Sequence, residues 1–161
     1  FSGGEPTLHK GLKHAMHQVK SMGFKIGLHT AGIYPHRLRE ALPVVDWVGM
    51  DIKSARADYH RITGVSGSSE RAWESARLLI SSGVAHEFRT TVHPDMLNKQ
   101  QLSNLIDELA DLGAEHYVIQ ECVTRHCLDD SRRTVTTEKL AIGQLNELGS
   151  AIVNFSVRSV S

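Results

Sequence analysis

Cysteine is scarce in this chain of 161 residues: only Cys122 and Cys127 occur. Two cysteines make no disulfide framework, so a reducing cytoplasm is the default compartment. Net charge is also missing, since 18 Lys and Arg balance 18 Asp and Glu. That balance gives no reason to expect a nucleic acid or a membrane surface as partner. No apolar run reaches the roughly 18 residues of a membrane span. No Gly-x-Gly-x-x-Gly follows a strand, which weakens a nicotinamide dehydrogenase. No long linker, low-complexity tract or sequence repeat divides the chain, so residues 1–161 read as a single domain, with 124–161 as its last helix and tail. A starting Met is absent as well: the chain opens Phe1-Ser2-Gly3-Gly4-Glu5-Pro6, which reads as a piece of something longer.

What is present is a rhythm. Leu8, Leu12, Ala15, Met16 and Val19 recur at helical spacing over 7–22, and Gly23 follows as a cap. A short strand-like run, 24–32, comes next. The spacing then predicts helix 35–42, strand 44–53, a polar loop around 63–69, helix 70–82, strand 86–93, helix 99–112, strand 116–122, helix 136–148 and a last strand near 151–159. Helix and strand alternate with short glycine-marked links, which argues for a parallel sheet with right-handed crossovers.

Alternation along the strands carries the functional signal. Ile26 and Leu28 share one face, with Gly27 and His29 opposite. Val48, Met50 and Ile52 oppose Gly49, Asp51 and Lys53. Phe88, Thr90 and Val92 oppose Arg89, Thr91 and His93. Tyr117 and Ile119 oppose His116, Val118 and Gln120. Each strand therefore has an apolar face for helices and a second face that turns polar toward its C-terminal end. Ordinary doubly wound sheets are apolar on both faces. A polar second face fits a curved sheet enclosing a polar ligand, and such folds bind at the C-terminal strand ends. Buried ion pairs that merely stiffen the core are the competing reading, set back by the cost of isolated buried charge. Trp47 and Trp73 are expected between helices and sheet.

Gly3-Gly4-Glu5-Pro6 before a helix, His29-Thr30-Ala31-Gly32 after the next strand and Asp51-Ile52-Lys53 after the one beyond it together resemble the radical S-adenosylmethionine (SAM) superfamily. The stretches 45–54, 59–64 and 88–94 resemble activators of anaerobic ribonucleoside-triphosphate reductase, with pyruvate formate-lyase activators close behind. The resemblance covers residues 1 to about 122. It implies an α/β fold: a partial parallel (β/α)6 TIM-like barrel lacking its first β/α unit. It further implies a [4Fe–4S] cluster held by a CxxxCxxC loop, and SAM cleaved by one electron to a 5′-deoxyadenosyl radical that takes hydrogen from a glycine of the partner. The implied partners are that glycyl-radical enzyme and an electron donor such as flavodoxin or ferredoxin.

Carried onto this chain, the resemblance implies that Gly3, Gly4 and Glu5 hold the SAM amino group and that Pro6 shapes the loop. Lys53 would meet the SAM carboxylate, and Asp51 the ribose or the amino group. Arg89 would face the cavity. Thr30 and Gly32 match a Thr-Asn-Gly turn near the ribose, with Ala31 in place of Asn. His29 stands where several relatives carry Asp. His93 and Gln120 are placed at the cavity rim by strand face alone. The CxxxCxxC loop is expected upstream of Phe1, because Cys122 and Cys127 are spaced CxxxxC and lie at the other end; the chain alone is then expected to be inactive. A zinc site from Cys122, His126, Cys127 and His116 has the wrong spacing, and His14 with His17 reads as a solvated helix face. A cluster-free SAM-binding module, and a barrel using Lys53 for Schiff-base chemistry, are the other functional readings. Residues 59–67 read as a partner-facing edge or an ordinary loop.

Overall fold

The computed structural model describes residues 1–127, 129–135 and 142–158. Five strands form one sheet in sequence order: β1 (Gly27–Thr30), β2 (Trp47–Asp51), β3 (Ala85–Val92), β4 (His116–Glu121) and β5 (Asn154–Arg158). Every neighbouring pair is parallel. A parallel sheet in sequence order needs a crossover between each pair of strands. The helices supply them: α1 (Leu12–Ser21) precedes β1, α2 (Pro35–Ala41) joins β1 to β2, α3 (Tyr59–Thr63) and α4 (Ser68–Ser82) join β2 to β3, α5 (Lys99–Leu112) joins β3 to β4, and α6 (Ile142–Leu148) precedes β5.

The core lies between the helices and one face of the sheet. Leu28, Val48, Met50, Ile52, Phe88, Tyr117 and Ile119 meet Met16, Leu38, Trp73, Leu79, Leu105 and Leu109 there, all essentially inaccessible. Burying each such side chain contributes about 1.5–3 kcal/mol. Two buried hydroxyls on this face are satisfied in a chain: Tyr117 donates to Thr90 at 2.8 Å, and Thr90 donates to the Ile52 carbonyl at 2.7 Å. Burial accordingly pushes the Tyr117 phenol far above its ordinary range.

Local chemistry sets the ends. Asn98 and Gln101 form a reciprocal capping box on α5, and Gly83 and Gly113 close α4 and α5 in the left-handed region. The expected helix over 7–22 is two pieces. Pro6–Leu8 is a 3-10 turn capped by Glu5, and α1 starts only after Gly11. The loop expected over 59–67 opens instead with a short helix, α3, that the polar sequence does not announce, and α4 begins at Ser68, inside the loop expected over 63–69. Of the expected helix 136–148, the part before Ile142 lies outside the described residues. No helix of the described residues is long and apolar enough to cross a membrane.

Candidate functional site

The first residues are fastened beside β1. The Phe1 amine donates to the Gly27 carbonyl at 2.6 Å, and the Phe1 carbonyl accepts from the His29 amide at 2.9 Å. This is the bonding pattern of a parallel neighbour, and it delivers residues 2–5 to the C-terminal end of β1. Gly3 and Gly4 then turn with φ of +92° and +58°. A Cβ on either would meet nothing within 4 Å, so the left-handed backbone and not close packing requires glycine here.

Glu5 is held by four donors. Its Oε1 accepts from the Thr7 amide at 3.1 Å, the Thr7 hydroxyl at 2.5 Å and the Thr30 hydroxyl at 2.7 Å. Among the described residues its Oε2 accepts only from the Ala31 amide, at 2.8 Å. A carboxylate oxygen offers about two lone pairs, so a ligand ammonium would meet Glu5 at Oε2. Thr30 sits on the helix side of β1, buried with Leu28. It also accepts the Gly32 amide at 3.0 Å, so it acts through Glu5. Arg37 donates to the Thr7 and Leu8 carbonyls and closes the turn from outside.

One strand away, Asp51 is pinned between two cations. Asp51 and Arg89 are register partners on β2 and β3. Arg89 gives Asp51 Oδ1 both its Nε, at 3.1 Å, and its Nη2, at 2.9 Å. Lys53 Nζ lies 3.2 Å from Oδ2. The Arg89 side chain is 12% exposed, whereas Asp51 and Lys53 keep about a third of theirs in solvent. Arg89 is thus the buried partner that fixes Asp51, and Lys53 is the movable one. Beneath them Gly49 leaves room for the Trp47 ring: a Cβ there would stand 2.6 Å from Trp47 Cη2 and 3.2 Å from Arg89 Cζ. His29, in register with Gly49, meets the Trp47 ring edge-on at 5.4 Å. Burial, helped by the charge of Arg89, lowers the His29 pKa.

The structure thus brings Asp51, Lys53 and Arg89 together, and His29 shares the row of Gly49 beneath them. It seats Gly3, Gly4, Glu5, Pro6 and Thr30 at the C-terminal end of β1. His93 and Gln120 stand apart. His93 is buried, accepts the Asp95 amide on Nδ1 at 3.1 Å, and faces the Arg132 carbonyl with Nε2 at 2.8 Å. Accepting on Nδ1 leaves the ring proton for Nε2, so both nitrogens are spent on fastening the following loop. Gln120 is half-buried on the polar face, with no hydrogen bond to this cluster among the described residues.

Three features escape the sequence reading. Trp47 is not between helix and sheet; it lies on the polar face with Gly49 and Asp51, as strict alternation from Asp51 dictates. Thr7 carries two of the four bonds to Glu5, and nothing in its type marks it. Arg158 on β5 reaches Glu87 on β3 with two bonds, 3.1 and 2.7 Å, a pair that no spacing rule connects.

The residues present fit one of the two implied groups. Opposed charges at Glu5, Asp51, Lys53 and Arg89 suit a zwitterionic amino-acid moiety such as that of SAM. They do not fit an iron–sulfur cluster. Among the described residues no three or more His, Cys, Asp or Glu side chains gather to hold a metal, and a cluster needs thiolates. That also removes the arrangement of Cys122, His126, Cys127 and His116 around zinc, and His14 and His17 are both exposed.

A family model described as Radical SAM superfamily matches residues 1–111. The 7-carboxy-7-deazaguanine synthase of Thermococcus kodakarensis is 32% identical over 115 residues, which are 70% of this chain and 45% of that protein. The chain therefore spans less than half the length of that curated relative. A domain of pyruvate-formate lyase-activating enzyme from Bacteroides vulgatus superposes with a TM-score of 0.73 at 13% identity, covering 98% of this chain and 96% of that one. SuiB of Streptococcus suis, solved with SAM bound, gives 0.65 at 12% identity and covers 97% of this chain and 36% of its own. These two likenesses speak for the fold, a partial barrel of parallel strands.

Proposed function

The chain belongs to the radical SAM superfamily, and from that premise we propose that it forms the SAM-binding part of a glycyl-radical-enzyme activase. The partner is an anaerobic ribonucleoside-triphosphate reductase, and a flavodoxin or ferredoxin serves as electron donor. The family uses SAM and a [4Fe–4S] cluster; together they supply a carbon-centred radical able to abstract hydrogen. The described residues do not contain the cluster's thiolate ligands, so the part they play is to bind and orient SAM.

The observation that carries the reading is the Asp51 carboxylate, fixed by Arg89 and shared with a partly exposed Lys53. Arg89 holds Asp51 from below, so Asp51 presents Oδ2 upward. Lys53 can exchange Asp51 for a ligand carboxylate, because an exposed Lys–Asp pair contributes only about 0–1 kcal/mol. The Gly3-Gly4 turn and Oε2 of Glu5 receive the ligand ammonium, with Pro6 and Thr30 holding that loop. His93 keeps the neighbouring loop in place, and Gln120 lines the rim.

Equilibrium dialysis with labelled SAM tests this on the chain itself. Lys53→Ala is expected to weaken binding roughly 10- to 100-fold, the worth of a charge-assisted hydrogen bond. Affinity unchanged from the parent in both Lys53→Ala and Asp51→Asn would overturn the assignment. A second reading, a small-molecule radical SAM enzyme, is favoured by the 32% identity to a 7-carboxy-7-deazaguanine synthase. Incubating the intact gene product anaerobically with SAM and reductant, once with the reductase and once with the precursor that a 7-carboxy-7-deazaguanine synthase converts, separates the two. A glycyl-radical doublet in electron paramagnetic resonance supports the activase. Formation of a carboxylated deazaguanine without that signal supports the synthase.

A further inference from the structure

Cys122 and Cys127 take no part in the reading above. Cys122 follows β4 directly, and its amide donates to the Val92 carbonyl at 3.0 Å. The 3-10 turn Thr124–His126 then folds the chain back on itself, and the Cys127 amide closes it on the Thr124 carbonyl at 3.0 Å. The turn sets the two thiols face to face, Sγ to Sγ 3.6 Å, both partly exposed. A disulfide needs about 2.0 Å, so closure asks for a shift of about 1.5 Å shared by two side chains. We propose that Cys122 and Cys127 form a redox-active dithiol site that reacts with low-molecular-weight disulfides of the glutathione kind.

The exchange balances without any metal. One thiol loses its proton, and its thiolate attacks a sulfur of the small disulfide. A mixed disulfide forms and one small thiolate leaves. The second cysteine, likewise deprotonated, attacks the protein sulfur of that mixed disulfide and expels the second small thiolate. The Cys122–Cys127 bond forms, the small disulfide takes up the two electrons, and the two protons pass to the released thiolates. Intramolecular attack competes well, since groups joined by a short linker see each other at about millimolar effective concentration.

The position gives the chemistry a consequence. The loop beyond Cys122 is already tied to β3 by the Cys122 amide and by His93, whose ring meets the Arg132 carbonyl. Arg133 Nε further donates to the Cys127 carbonyl at 3.0 Å. A disulfide would make this strap covalent at the C-terminal end of β4, two residues past Gln120. Intracellular disulfides that form reversibly are usually catalytic or redox-sensing. The proposal does not depend on SAM binding.

The test uses the reduced 161-residue chain equilibrated anaerobically at stepped ratios of oxidised to reduced glutathione, quenched by alkylation. Trypsin cuts after Arg125, between the two cysteines, so the ring appears as two peptides joined until reduction. The expected result is that joined pair as the main oxidised species. Its equilibrium constant should be at least about tenfold larger than for the same chain in denaturant, or about 30 mV more reducing. Cys127→Ser should stop at a single glutathione adduct on Cys122. A constant no larger than in denaturant, glutathione adducts persisting on both cysteines, or dimers in place of the ring would each overturn the proposal. The folded-against-denatured comparison needs no variant, so a substitution that misfolds leaves the test intact.

Discussion

Asp51 shows how three residues divide one task. Arg89 spends two hydrogen bonds on a single oxygen and stays nearly buried, whereas Lys53 spends one and stays partly in water. The buried contact fixes geometry, and the exposed one is cheap to exchange. His29 adds a pH dependence at the same scale. Burial, then the Arg89 charge, lowers its pKa from the ordinary 6.5, so the unfolded chain binds this proton more readily than the folded one. The stability His29 contributes is therefore fully present above pH 6.5 and is lost as pH falls through the lowered folded value. Urea midpoints measured from about pH 7.5 down to about pH 5 should fall less steeply for His29→Asn than for the parent. Parallel profiles would show that His29 is charged in both states alike.

At the scale of elements, β2 is shaped by what it omits. Gly49 has an ordinary strand conformation, yet a methyl there would collide with the Trp47 ring and crowd the Arg89 guanidinium. Gly49→Ala is expected to cost about 1–3 kcal/mol, as overpacking does. It should also lower SAM affinity, because Arg89 must move and Asp51 with it. Denaturation and dialysis on the same sample check both; a variant as stable as the parent would mean that the Trp47 ring swings away freely. Gly32 works differently. Its φ is +67°, its carbonyl accepts from Ser75 at 2.6 Å, and its amide donates to Thr30. It ties the turn after β1 to α4, and through Thr30 to Glu5.

For the whole molecule, two faces of one sheet have separate duties. The helix side carries the continuous apolar core and supplies stability. The other carries the charged pairs Asp51–Arg89 and Glu87–Arg158, which replace apolar packing with partly solvated ion pairs. A ligand bound between Glu5 and Lys53, as proposed, would join residues 3–5 to the end of β2 and add stability by mass action. At about 100 times its Kd, SAM should add about 2.7 kcal/mol. For a domain of this size that is a rise in Tm of about 5–10 °C. Scanning fluorimetry with and without SAM reads it. No rise at saturating SAM would remove the ligand from this site and leave the ion pairs as scaffold.

Period-two alternation was sufficient to put Gly49, Asp51 and Lys53 on one face and Val48, Met50 and Ile52 on the other, because a strand has no other way to arrange its side chains. Helix α5 was legible to its ends, since the apolar spacing and the closing Gly113 act within a few residues. Alternation also specified the face of Trp47, against the habit of putting tryptophan in the core. The sequence could not show that Thr30 donates to Glu5, since that requires the turn and β1 to meet across 25 positions. Nor could it show that His93 is spent on Arg132, or that Cys122 faces Cys127. Local periodicity is written in neighbouring residues and can be read from them. Which donor finds which acceptor depends on where crossovers and turns return the chain, and only the folded sheet decides that.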